Sequence, residues 1–159
     1  MNILKVLQSG EVTRYHNTLI SNKQNNSQHS WEVAIILRHI YPECSVDLLS
    51  YALTHDAAEL LVGDIPAPVK RLIPGLKETL SRFEKEYMIV ELGLPYPNFT
   101  DEEMLAVKWA DILSGIYFTS LSMSRGDTNA KAIYDVWLSY ADQLDYLNDT
   151  TLKTLEALK

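Results

Sequence analysis

No stretch of this chain alternates apolar and polar residues with the two-residue period of a half-buried strand, whereas apolar side chains recur three and four residues apart along most of it. That periodicity commits the chain to helices. Breakers are few: 6 Gly and 6 Pro in 159 residues, below the combined share of about 12% usual in globular proteins. The expected fold class is all-α, a single compact bundle of about five to seven helices over residues 1–159, because no repeat, low-complexity tract or linker divides the chain.

The elements follow from caps and breakers. Residues 2–8 form a short helix ended by Ser9-Gly10, and the polar stretch from Arg14 to Gln28, with Asn17, Asn22, Asn25 and Asn26, is a loop. From Ser27 or Gln28 to Ile40, the residues Trp31, Ala34, Ile35 and Leu37 share a helical face, and Pro42 stops that helix. Ser45 is the N-cap of the next, with Asp47 in its first turn. Leu48, Leu49, Ala52, Leu53 and Ala57 are its buried side and Gly63 its end. Pro66 and Pro68 exclude regular helix from residues 63–70, and a further helix spans 75–91. Thr100 and Glu103 make a capping box for a helix through Val107, Ala110, Leu113, Tyr117 and Leu121 to about Arg125-Gly126. Thr128 caps a last long helix, broken near Asn148-Asp149.

Charge and composition exclude several functions. Lys plus Arg is 14 against 21 Asp plus Glu, a net charge of −7, the wrong sign for displacing counterions from nucleic acid. The longest aliphatic run, Val33 to Leu37, is far short of the ~20 residues that cross a bilayer, and MNILKVLQSG does not read as a signal peptide. Neither nucleic acid nor membrane is therefore expected as a partner. Cys44 is the only cysteine, so no internal disulfide or CxxC zinc site can form; a reducing, cytoplasmic compartment is compatible.

The chemistry-bearing residues are His29, the dipeptide His55-Asp56 and Asp111, the last in the apolar stretch WADILSGIYF, where an unpaired carboxylate is costly to bury. Two imidazoles and two carboxylates suit a divalent ion such as Zn, Mn, Fe, Co or Ni, and helices converging on it would build a site in the bundle core. Each residue taken alone also fits a cap, a core hydrogen bond or a surface pair. Glu59 lies four residues after His55 and three after Asp56, on nearly the same face of a continuous helix. A carboxylate there can orient or deprotonate a water whose pKa the metal lowers. Trp31, Trp109 and Trp137 are expected in the core; Ile65, Pro66, Ile112 and Tyr117 are candidates for an apolar wall around a base.

The ordered set His29, His55-Asp56, Asp111 resembles the H…HD…D signature of the HD-domain metal-dependent phosphohydrolases. Arg-Tyr-His at 14–16, Gln-His-Ser at 28–30, His-Asp-Ala-Ala-Glu at 55–59 and Gly-Asp-Ile-Pro-Ala-Pro-Val-Lys at 63–70 resemble, in that order, the motifs of its 5′-deoxynucleotidase branch. Size and motif spacing are similar to the compact phage dATP triphosphohydrolases. The resemblance implies an HD-domain bundle with His29, His55, Asp56 and Asp111 as metal ligands, Glu59 acting with the attacking water and Asp64 positioning substrate. Arg14 and Lys70 match positions that hold phosphate oxygens, a guanidinium fork and a point charge. Tyr15 stands where bacterial members carry a tryptophan that packs against the sugar and favours 2′-deoxyribose.

By the same resemblance the cofactor is a divalent transition metal (Zn, Co or Mn), with a second divalent ion able to arrive with the phosphates, and the protein is a homo-oligomer. The implied reaction is hydrolysis of a deoxynucleoside 5′-phosphate, dATP to deoxyadenosine and triphosphate in phage nucleotide-pool control, in the host cytoplasm if phage-encoded. The alternatives are a deoxynucleoside monophosphatase and a non-catalytic module that binds metal or nucleotide through the same site.

Overall fold

The computed structural model describes residues 1–96, 98–145 and 147–159. Among these it has no strand beyond one isolated bridge between Thr13 and Asn25, and nine helices: α1 (Ile3–Ser9), α2 (Asn26–Ile40), α3 (Val46–Thr54), α4 (Glu59–Val62), α5 (Ala67–Leu72), α6 (Leu76–Val90), α7 (Asp101–Ser124), α8 (Ala130–Ala141) and α9 (Asp149–Leu158). Six of these run nine residues or longer; α1, α4 and α5 are short. None is long and apolar enough to cross a membrane.

α7 is the axis of the bundle. Thr100 and Glu103 form the expected capping box at its start, and its buried residues run around the helix rather than along one stripe, which marks a helix enclosed on all sides. It packs against α8, α2 and α9, and α2 packs on α3. Small residues (Ala106, Ala110, Ser114, Gly115) let these neighbours approach closely. The main core joins Val33, Leu37 and Ile40 of α2, Leu48 and Ala52 of α3, and Leu113 and Ile116 of α7. A second cluster gathers Ala57 and Ala58 with Tyr87 and Met88 of α6 and Leu92 just beyond it. Cys44 lies partly buried against the main core.

Several local expectations need correction. The helix that Ser45 caps ends at Thr54 rather than Gly63. From Thr54 onward the backbone tightens into three-residue hydrogen bonds, Ala57 to Thr54 (2.9 Å) and Glu59 to Asp56 (3.0 Å), so His55 and Asp56 occupy a turn between α3 and α4. Leu53 is consequently exposed. α5 begins inside the proline-rich run because Pro66 is its N-cap and Pro68 sits in the first turn, where an amide has no intrahelical partner to lose. α2 starts at Asn26 under the side chain of Asn25. Asn129, not Thr128, precedes α8, and Asp127 supplies the side-chain acceptor for its amide at 3.1 Å. Trp31 and Ile35 point to solvent; the buried face of α2 is instead His29, Glu32, Val33, Leu37 and Ile40.

Candidate metal centre

Three separate stretches of helix and turn deliver the four candidate ligands. Asn25 accepts the Gln28 amide, and one turn later His29 is fully enclosed. The α3–α4 turn brings His55 and Asp56, and the middle of α7 brings Asp111. His29 Nε2 lies 3.1 Å from Asp111 Oδ1 and 3.6 Å from Asp56 Oδ2, while His55 Nε2 lies 3.4 Å from the same Asp56 oxygen. One ligand atom from each of His29, His55 and Asp111 falls within 4.8 Å of the others. Asp56 Oδ2 is shared with the Arg14 guanidinium.

The tautomers test whether these residues suit a cation. Ser114 Oγ donates to Glu32 Oε2 at 2.8 Å, so it accepts from His29 Nδ1 at 3.0 Å, and His29 carries its proton on Nδ1. His55 Nδ1 donates to the Ala52 carbonyl at 2.7 Å. Both Nε2 atoms therefore present lone pairs toward carboxylates; they are buried and make no hydrogen bond. Lone pairs facing anions repel unless a cation lies between them. Outer-shell bonds that fix the imidazole tautomer are the usual accompaniment of metal-ligating histidines, and the donor set fits a divalent ion.

The electrostatics agree. Burial pushes the His29 pKa down, reinforced by Arg14, keeping the imidazole neutral. Burial opposes ionisation of Asp56; the positive charge that His55, Arg14 and His29 carry when protonated outweighs it and holds the carboxyl below the ordinary range, and with the imidazoles neutral Arg14 is the cation that remains. Asp111 is lowered against its burial when a protonated His29 donates to it; with the His29 proton on Nδ1 that stabilisation is absent and a cation between the two would take its place. Arg14 is buried, and Asp56, Tyr15, Asp111 and Glu59 keep it charged against the cost of that burial. Glu59, the first residue of α4, is pushed up to about 9 by burial and by the adjacent Asp56 charge; its Oε2 accepts from Asn26 Nδ2 at 2.9 Å.

Around this centre opens a cavity of about 420 Å³, whose charged lining is Arg14, Asp56, Glu59, Asp64, Lys70 and Asp111. Every residue the sequence singled out for the site reaches this cavity or the ligand cluster. Arg14 is fixed by a loop pinned to the start of α2: its amide donates to Gln24 O at 2.8 Å, and the Asn26 amide to Val12 O at 3.0 Å. Tyr15 has a left-handed φ of 57°, unique among the described non-glycine residues. Its amide donates to Asp64 Oδ2 at 3.2 Å, its carbonyl accepts from Lys23 Nζ at 2.7 Å, and its ring stacks on Phe118 at 5.4 Å.

The remaining histidines and two nearby cations fall elsewhere. His16 and His39 are exposed, Lys23 is spent on the loop carbonyls of Tyr15 and Thr18, and Arg71 lies over the Tyr140 ring at 4.3 Å. Trp109 is in the core as expected. Of the apolar wall candidates, Ile65 and Pro66 line the cavity; Ile112 is buried in the core. The rest of that wall comes from α8, through Ile133, Val136, Trp137 and Tyr140, which the sequence reading missed. It also missed Asn26 and the Glu32 cluster, in which Gln24, Gln28 and Ser114 all donate to one carboxylate. Helical spacing carries a signal for part of this: Glu32 follows His29, and Ser114 follows Asp111, by three residues.

This all-α fold is shared with solved structures of HD-domain phosphohydrolases. The profile of the family described as 5′-deoxynucleotidase YfbR-like matches residues 3–147, and the chain belongs to that family. It is accordingly a member of a deoxynucleotide phosphohydrolase family, with a side-chain cluster that could hold a metal ion. Solved structures share the fold. The HD phosphohydrolase DatZ of cyanophage S-2L, bound to dA and one catalytic Zn²⁺ ion, is 18% identical, with a TM-score of 0.72 over 99% of this chain and 94% of that one. An HD-domain phosphohydrolase from Listeria innocua is 19% identical, with a TM-score of 0.71 over 98% and 84%. The PH0347 protein from Pyrococcus horikoshii OT3 is 20% identical, with a TM-score of 0.68 over 99% and 96%. No curated protein sequence matches the chain.

Proposed function

We propose that this protein hydrolyses dATP to deoxyadenosine and triphosphate, with His29, His55, Asp56 and Asp111 holding a divalent transition metal. The observation that carries the reading is the pair of buried, unpartnered Nε2 atoms turned toward Asp56 and Asp111, two carboxylates that line a cavity shared with Arg14, Lys70 and an apolar α8 wall. When bound, the ion lowers the pKa of water and polarises the phosphoryl group. Glu59 lines the cavity, and its carboxylate form would take the proton of the attacking water. Arg14 and Lys70 bind phosphoryl oxygens and offset the charge that develops on them. Asp64 holds the Tyr15 amide and so keeps the Arg14 loop at the mouth.

Zinc and a deoxyadenosine moiety are supported by the cyanophage structural neighbour, whose structure holds dA and one Zn²⁺; cobalt and manganese suit the same donors, and a second ion can accompany the phosphates. The phage pool-control role rests on the same likeness. Cytoplasmic location and a homo-oligomeric state belong to this reading as well, the latter supported by exposed Leu4 and Leu7 on α1 and Leu72 on α5. The second reading is a deoxynucleoside 5′-monophosphatase, favoured by the family description.

Product chromatography after separate incubation with dATP, dAMP, dGTP and ATP decides between them. The proposal expects deoxyadenosine and triphosphate from dATP. Phosphate release from dAMP with dATP untouched supports the monophosphatase, and intact substrates throughout, with bound metal, leave the non-catalytic module.

A further inference from the structure

We propose that Trp137 of α8 is the surface on which the substrate lays its nucleobase, and that it gives the pocket a preference for purines. The inference rests on the deoxynucleotide reading above and adds the residue that discriminates among bases.

The placement of Trp137 begins with Gly115. A Cβ at that position would stand 2.2 Å from Trp137 Cε2, 2.5 Å from Cδ2 and 2.6 Å from Nε1. A side chain of any size is excluded, and the indole lies directly against the α7 backbone. Gly115 is four residues beyond Asp111 and on the same face of α7, about 6 Å along the axis at the rise of an α-helix. The indole is thus held against the face of α7 that carries Asp111. Two further contacts fix it: Nε1 donates to the Tyr15 hydroxyl at 3.1 Å, and the Tyr140 ring meets it edge-on at 5.7 Å and 88°.

The cavity lining combines a charged set, Arg14, Lys70 and the carboxylates, with an apolar set from α8, Ile133, Val136, Trp137 and Tyr140. The complementary ligand has an anionic phosphate joined by a short spacer to a flat apolar heterocycle. A deoxynucleotide has that order of parts. Trp137 is only half-buried although three groups grip it, so part of a rigid, pre-ordered indole remains available to the cavity. Stacking gain grows with the overlapped area, which favours purines over pyrimidines.

The test uses Trp137→Leu, Trp137→Phe and Trp31→Phe in the full-length, metal-loaded protein; Trp31 is exposed and away from the cavity. In steady-state kinetics with the better of dATP or dAMP, Trp137→Leu should raise KM about tenfold, the scale of one lost base–aromatic stack, with kcat within about threefold. The purine-to-pyrimidine ratio of kcat/KM should fall toward unity. Deoxyadenosine, which is not hydrolysed, should quench tryptophan fluorescence in the wild type and in Trp31→Phe but not in Trp137→Phe. Unchanged KM and base preference in Trp137→Leu, a quench retained in Trp137→Phe, or no quench in the wild type overturns the inference. A wild type that is quenched through Trp137 yet hydrolyses no deoxynucleotide overturns the catalytic reading alone. If Trp137→Leu does not fold by circular dichroism, the Trp137→Phe quench decides.

Discussion

Glu59 and Lys70 face the same cavity but are asked for different work, and the difference is measurable. Glu59 is the proton acceptor in the proposed reading; in the metal-free fold, burial and the Asp56 charge beside it raise its pKa. Glu59→Gln keeps the shape and the Asn26 contact while removing the basic oxygen. The expected outcome is metal content equal to wild type by elemental analysis, with kcat lower by about 10²–10⁴, the range for losing a positioned general base. Near-normal turnover would assign the proton to another group. Lys70 is half-buried at the cavity rim and acts as a point charge on phosphate. Lys70→Ala should raise KM for dATP more than for dAMP, because more of its charge meets the distal phosphates. Equal losses on the two substrates would restrict Lys70 to the α-phosphate.

At the scale of elements, the sequence was most legible where a single residue decides a boundary. Ser45, Thr100 with Glu103, and Pro42 act through their own hydrogen bonds or missing donors, and the helices begin or stop where those residues stand. His55-Asp56 was harder to place. Nothing in LTHDAAEL forbids a continuous helix, and its interruption comes from tertiary demands on two side chains that must face His29 and Arg14. The site residues could be named because their chemistry and order are unusual. The α8 wall could not, since Ile133, Val136 and Trp137 form an ordinary apolar stripe and only packing on α7 shows which edge of it faces the cavity. The Gly115–Trp137 contact is where this can be tested. Gly115→Ala should destabilise the fold by about 1–3 kcal/mol as an overpacking change, seen as a lower thermal midpoint. In the Gly115→Ala/Trp137→Ala double variant the clash is gone, so the two effects should fail to add by about 0.5–3 kcal/mol, as contacting residues do. Additive midpoint shifts would mean that the indole does not lie against Gly115.

For the whole molecule, the centre imposes a stability cost that a cation relieves. Asp56, Glu59, Asp64 and Asp111 converge on one cavity in a chain whose net charge is already −7. Glu59 has a folded pKa raised from 4.5 to about 9. Its contribution to the metal-free fold is full below the unfolded value and is lost as pH rises toward the folded one. His29 has its folded pKa lowered from 6.5, so its contribution is full above that value and declines as pH falls through it. A divalent ion would compensate the ionised Glu59 and bind the neutral His29, while protons compete with it for the same atoms. The rise in thermal midpoint on adding zinc or manganese to chelator-treated protein should therefore grow from pH 5.5 to pH 8. At a hundredfold excess over Kd it should amount to about 2.7 kcal/mol of added stability. Asp111→Asn, which keeps the size of the side chain and removes its charge, should lose most of that gain at every pH. A midpoint indifferent to chelator and metal across the range would show that the four side chains hold no ion, and the hydrolytic chemistry built on them would fail with it.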